Sequence, residues 1–111
     1  MVSWLLRSFS VSDFVVLKMD VEGAEAEIVP RLLESNASRL VDVFLWECHL
    51  KWRGPKGKCQ CAQWEEALRR GGVRTVYREK YPFATAEKAR AAVWRGFNAT
   101  AAARATTPPA R

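Results

Sequence analysis

Two short acidic runs, one of them ending in the only histidine, carry the side chains best suited to move a proton. They are Asp20-Val21-Glu22-Gly23-Ala24-Glu25 and Glu47-Cys48-His49. A carboxylate beside an imidazole can serve as a general acid or base, and the same groups can ligate a divalent cation. Asp20 and Glu22 flank the turn made by Gly23, and both read as functional. Glu25 reads instead as decoration of a helix N-terminus, where a carboxylate complements the macrodipole. His49, two residues past Glu47, joins the candidate group. Zinc would need further ligands, because His49 is the only histidine and Cys59-Gln60-Cys61 supplies only a CxC pair.

Both runs follow segments that read as strands. Phe14-Val15-Val16-Leu17-Lys18-Met19 is a nearly continuous apolar run with β-branched residues, the pattern of a strand buried on both faces. Val41 to Glu47 repeats that pattern, and Val73 to Tyr77 gives a third strand. Between the first two, Ala24, Ile28, Leu32 and Leu33 recur at helical spacing, with Pro30 as an interruption. Lys51 to Cys61 reads as a polar loop broken by Gly54-Pro55 and Gly57. A helix follows over Ala62 to Arg70, with Trp64, Ala67 and Leu68 inward. Its outer face carries Glu65–Arg69 and Glu66–Arg70 pairs, and Gly71-Gly72 closes it. Trp4 to Leu6 reads as the end of a short helix. Thr85 caps a further helix over Ala86 to Arg95.

Strands alternating with helices predict an α/β fold: a partial doubly wound, Rossmann-like, mostly parallel sheet with right-handed crossovers. The first two strands are expected to be neighbours. Ligands of such sheets sit outside the carboxyl ends of the strands, so Asp20, Glu22, Glu47 and His49 should share one rim.

The chain has 111 residues, 49% of them hydrophobic and 27% charged, which suits one globular domain. No apolar run approaches the length of a transmembrane helix. Met1 to Arg7 has neither the basic start nor the apolar length of a signal peptide. The net charge is +6, read as an Arg-rich solvated surface. With Cys48 alone and Cys59 close to Cys61, no disulfide framework is expected. Asn36-Ala37-Ser38 and Asn98-Ala99-Thr100 both fit the N-glycosylation pattern, which matters only in a secreted protein. After Asn98 the sequence is Ala, Thr, Arg and Pro, and residues 98–111 are expected to be a disordered tail.

The run Asp13 to Glu25, a strand followed by D-x-E-G-x-E, resembles the signature of the FkbM-type S-adenosylmethionine-dependent methyltransferases. The likeness continues through Ile28 to Leu33 and Val41 to His49, and ends around Trp64 to Tyr77. Leu45-Trp46-Glu47-Cys48-His49 is similar to the plant and algal branch. Residues 1–80 thus correspond to the C-terminal half of such a domain, followed by a helix over 81–97 and the tail.

The resemblance implies a class I methyltransferase fold, S-adenosyl-L-methionine as cofactor, and O-methylation of a hydroxyl on a small molecule or glycan. Asp20, Glu22 and His49 take the catalytic positions and Glu47 a substrate-binding one. A divalent metal on Asp20, Glu47 and His49 is the less favoured option, by analogy with catechol-type methyltransferases. The family's glycine-rich loop and ribose-binding acid lie upstream of the matching segment, and no GxGxG occurs in these 111 residues. The chain alone is therefore expected not to hold the cofactor. Phe14, Val16, Val43 and Leu45 are expected to present apolar surface to an upstream half-domain, or to self-association.

Two other readings belong to different classes. One is a non-catalytic remnant or partner subunit that keeps the rim without the cofactor. The other is a nucleic-acid module using Lys51, Arg53, Lys56 and Lys58 with Trp52; no nucleic-acid motif supports it.

Overall fold

The computed structural model describes residues 1–79 and 86–106. The elements are α1 (Val2–Ser8), β1 (Val16–Met19), α2 (Glu25–Glu34), a 3-10 turn (Ala37–Leu40), β2 (Val43–Trp46), a second 3-10 turn (His49–Arg53), α3 (Pro55–Arg70), β3 (Thr75–Arg78) and α4 (Ala86–Thr106). The strands form one parallel sheet in the order β1-β2-β3. Val16 pairs with Val43 and Met19 with Trp46; Val43 pairs in turn with Thr75 and Trp46 with Arg78. The expected α/β class, parallel sense and adjacency of the first two strands are all present.

Burial separates the strands more sharply than their apolar content does. All four residues of central β2 are buried. β1 lies at the sheet edge, with Met19 buried but Val16 39% exposed. The reading of β1 as buried on both faces is thus corrected. Its apolar run resembles that of β2, but an edge strand has a neighbour on one side only, and Val16 is left partly uncovered.

One face of the sheet carries the main core. Phe44, Trp46 and Met19 pack with Val29 and Leu32 of α2, Leu68 of α3 and Leu5 of α1. Pro30 lies inside α2 and does not divide it. Val29 and Leu32, both fully buried, hold the two sides of the proline on the same core, which offsets the hydrogen bond that the ring removes.

The other face is covered by α4. Ala92 packs on Val43 and Leu45, with Phe14, Tyr77, Ala89 and Val93 around them. At Gly96 a Cβ would stand 2.2 Å from Val43 Cγ2, so the bare backbone lets the helix lie directly on the sheet. The expectation that Val43 and Leu45 present apolar surface is therefore overturned: they are 0% and 5% exposed.

The expected disordered tail is overturned as far as residue 106, because α4 runs on through Thr106. Alanine is the strongest helix former, and Ala99, Ala101, Ala102, Ala103 and Ala105 populate this stretch. Side chains then anchor it. The Thr100 hydroxyl donates to Asp42 Oδ1 at 3.4 Å, and Arg104 donates to the carbonyls of Val11 and Asp13 at 2.9 and 2.8 Å. Asp42 also accepts the Val15 N–H at 2.8 Å, so one buried carboxylate links β1, β2 and α4. Residues 107–111, and the expected cap Thr85, lie outside the described residues.

α3 begins at Pro55, seven residues before the expected Ala62. Proline suits a first helical turn because it needs no N–H partner there. Gly57 packs against the preceding turn so closely that a Cβ would stand 1.6 Å from the Leu50 carbonyl oxygen. Glu65 does not pair outward with Arg69. It accepts the indole N–H of buried Trp46 at 3.0 Å and two bonds from Arg78, at 2.9 and 2.5 Å. A buried indole N–H needs a partner, and a two-point Arg–carboxylate pair is stronger than an exposed helical one. None of the described helices is long and apolar enough to cross a membrane.

Candidate functional site

The site is built where β1 and β2 end. After Met19 the chain turns through Glu22 and Gly23, with φ of 50° and 104°. Glycine adopts such a conformation readily and glutamate does so rarely. The turn places Glu25 at the start of α2 with its carboxylate aimed back into the loop. Its Oε2 accepts the Gly23 N–H at 2.7 Å. Its Oε1 lies 2.5 Å from His49 Nδ1. The Glu25 side chain is fully buried.

At the other strand end, the Glu47 N–H donates to the Met19 carbonyl at 3.1 Å, extending the β1–β2 ladder to the rim. Cys48 follows, bonded to Cys61 of α3 with Cα atoms 6.1 Å apart. This corrects the expectation of no disulfide. The two cysteines stand 13 positions apart, and the early start of α3 brings Cys61 over the end of β2. Cys59, two residues earlier on α3, stays free and exposed. His49, the first residue of the second 3-10 turn, is thereby held directly after a disulfide-linked neighbour.

His49 Nε2 faces the two remaining acids, 3.5 Å from Asp20 Oδ1 and 3.4 Å from Glu47 Oε2. The imidazole is 9% exposed, while Asp20 is 48% exposed. A carboxylate accepts hydrogen bonds, so Glu25 selects the tautomer with hydrogen on Nδ1 and leaves Nε2 as the working atom. Burial alone pulls the His49 pKa down. The hydrogen bond and charge of Glu25, with the charges of Asp20 and Glu47, outweigh it and hold the pKa above its ordinary value.

A cleft of about 250 Å³ opens beside the imidazole, lined by Glu22, Gly23, His49, Leu50 and Arg53. The arrangement can take a proton from a group held in that cleft. Ligand atoms of Asp20, Glu47 and His49 also lie within 4.8 Å of one another, a spacing that three ligands of one cation can share.

Of the four residues read from sequence, Asp20, Glu47 and His49 meet directly, and Glu22 lines the adjoining cleft. Glu25, expected only to decorate the N-terminus of α2, is the buried partner of the imidazole. Periodicity held part of that signal, since Glu25, Val29 and Leu32 share one helical face. Of the proposed basic stretch, Arg53, Lys56 and Lys58 are exposed; the side chains of Lys51 and Trp52 lie outside the described residues.

The disulfide gives a direct stability test. Cys48→Ser with Cys61→Ser should lower the unfolding free energy by about 3 kcal/mol, the usual value for a loop of this size. Urea unfolding of the double variant beside the parent measures it. A difference within error would mean that the link contributes nothing to the fold.

No protein-family model, no curated protein and no solved structure matches this chain.

Proposed function

We propose that this chain is the C-terminal half of an S-adenosylmethionine-dependent methyltransferase domain of the FkbM type, acting on a hydroxyl acceptor. The observation that carries the reading is the meeting of Asp20, Glu47 and His49 at the carboxyl rim of β1 and β2, with His49 Nε2 facing both carboxylates. Methyl transfer to a hydroxyl needs a positioned base of this kind. In the proposed role, the acceptor O–H points at His49 Nε2 and gives up its proton there. Asp20 and Glu47 stabilise the imidazolium, and Glu25 holds the ring in the tautomer able to receive the proton. Glu22 and Arg53 bound the cleft on either side of the acceptor.

The residues present do not fit the whole cofactor. The cleft, at about 250 Å³, falls below the ~300–1,000 Å³ typical of sites that enclose such ligands. The open outer edge of β1 supports a division of labour with an upstream half. Among the described residues no strand pairs with that edge. Val16, with Trp94 and Phe97 of α4, leaves apolar surface exposed, and the Phe14 ring meets Phe97 edge-on at 5.2 Å.

Calorimetry and a fusion test the reading together. The 111-residue chain should give no binding heat with micromolar S-adenosylmethionine. Fused behind the nucleotide-binding half of an FkbM-type enzyme, it should bind the cofactor and label a hydroxyl acceptor with its methyl group. A fusion that folds and binds cofactor but labels no hydroxyl would leave the remnant reading in place. Micromolar binding by the chain alone would refute the proposed division.

A further inference from the structure

We propose that Asn36 carries an N-linked glycan, and hence that the protein matures in the secretory pathway. The inference is independent of the methyltransferase reading. It joins two observations, one from the sequence and one from the fold.

The first is that the chain has two asparagines, Asn36 and Asn98, and each stands in an N-x-Ser/Thr triplet. Serine and threonine make up about one residue in ten of the chain, so chance pairing at both asparagines is on the order of one in a hundred. The second is the disulfide between Cys48 and Cys61. Such bonds form and persist in oxidising compartments and are rare in the reducing cytosol. A triplet that matters only in the secretory route thus occurs in a chain bearing a mark of that route.

The fold then favours Asn36 as the site. It occupies the reversal between α2 and the Ala37–Leu40 turn, in the left-handed conformation with φ of 59°. Its backbone is committed, the N–H donating to the Leu33 carbonyl and the carbonyl accepting from Arg39. Its side chain is exposed and makes no cap hydrogen bond, so a bulky substituent can leave the surface there without disturbing the core. The turn lies before β2, at the end of the sheet opposite His49, so a glycan leaves the acid–imidazole rim clear. Asn98 is exposed as well, but it lies inside the 21-residue helix α4 rather than at a reversal of the chain.

Ser38 sets the order of events. In the folded chain it is buried, and its hydroxyl donates to the Gly71 carbonyl at 2.9 Å. The transferring enzyme must reach this hydroxyl on an extended segment, so transfer precedes folding. The donor is a polyprenyl-diphosphate-linked oligosaccharide. Its sugar C1–oxygen bond breaks, a C1–Nδ2 bond to Asn36 forms, and the amide proton leaves with the polyprenyl diphosphate.

Trypsin isolates the site in one peptide, Leu32–Arg39, because Arg31 and Arg39 flank it. In protein taken from the cells that make it, this peptide should be missing at its unmodified mass. It should appear after enzymatic deglycosylation in heavy-oxygen water, with a labelled Asp in place of Asn36. As a second arm, the full chain behind a fused secretory leader is translated with microsomes. It should gain a mobility step that endoglycosidase removes and that Asn36→Gln abolishes. Recovery of unmodified Leu32–Arg39 from the native source overturns the proposal. So does a leader-fused chain whose glycosylation is absent or unchanged by Asn36→Gln.

Discussion

On the proposed methyl-transfer reading, replacing His49 by glutamine, in the chain fused to a cofactor-binding upstream half, is expected to lower methyl transfer by about 10²–10⁴-fold, the usual contribution of a general base. Glutamine keeps a polar side chain of similar reach in the cleft, so cofactor binding measured by calorimetry stays near that of the parent. The loss falls on kcat more than on KM, because the base acts as the oxygen becomes a nucleophile. The parent should also show a rate that rises with pH as His49 loses its proton, with a midpoint above the ordinary imidazole range. Glu25 and the two rim acids hold the pKa there. If His49→Gln retains full activity, or if the parent shows no rise with pH, His49 is not the base.

Glu25→Ala should lower the unfolding free energy by about 4 kcal/mol, the range for removing one partner of a buried pair. The carboxylate is fully buried and bonded on both oxygens, to the Gly23 N–H and to His49 Nδ1. Its loss leaves a cavity, an unanchored turn and an imidazole without its Nδ1 acceptor. Glu25→Gln separates charge from shape, because it fills the same space and should cost less.

Stability should also respond to pH. The folded pKa of His49 lies above the unfolded value of ~6.5. The stabilisation from its protonated form is therefore complete below about pH 6.5 and lost as pH rises through the folded pKa. Urea unfolding midpoints should fall over that window in the parent and fall less in Glu25→Gln. In the fused enzyme, Glu25→Gln should shift the pH–rate profile to lower pH, a readout that a merely structural role would not move. Equal slopes for parent and variant would mean that Glu25 does not set the ionisation of His49.

The local code determined most of the architecture. Alternating apolar runs and helical spacings fixed an α/β order with parallel strands, because a helix between two strands returns the chain to run in the same direction. The same topology put Asp20, Glu47 and His49 on one rim, since residues that follow neighbouring parallel strands must emerge at the same edge. No packing detail was needed for that step.

Tertiary structure decided which face each residue met. Glu25 looks like any carboxylate in a first helical turn, and only the approach of β2 brings His49 to it. Glu65 has helical partners available in the sequence, yet buried Trp46 and Arg78 take it. Cys48 gains its mate because α3 starts at Pro55, and the packing of Gly57 on the Leu50 carbonyl decides that start. Residues 98–106 lack apolar bulk, so composition reads them as a tail. They are ordered through a carboxylate and carbonyls far away in sequence, Asp42, Val11 and Asp13. Sequence spacing carries local periodicity, but a hydrogen bond between residues dozens of positions apart exists only once the chain has packed.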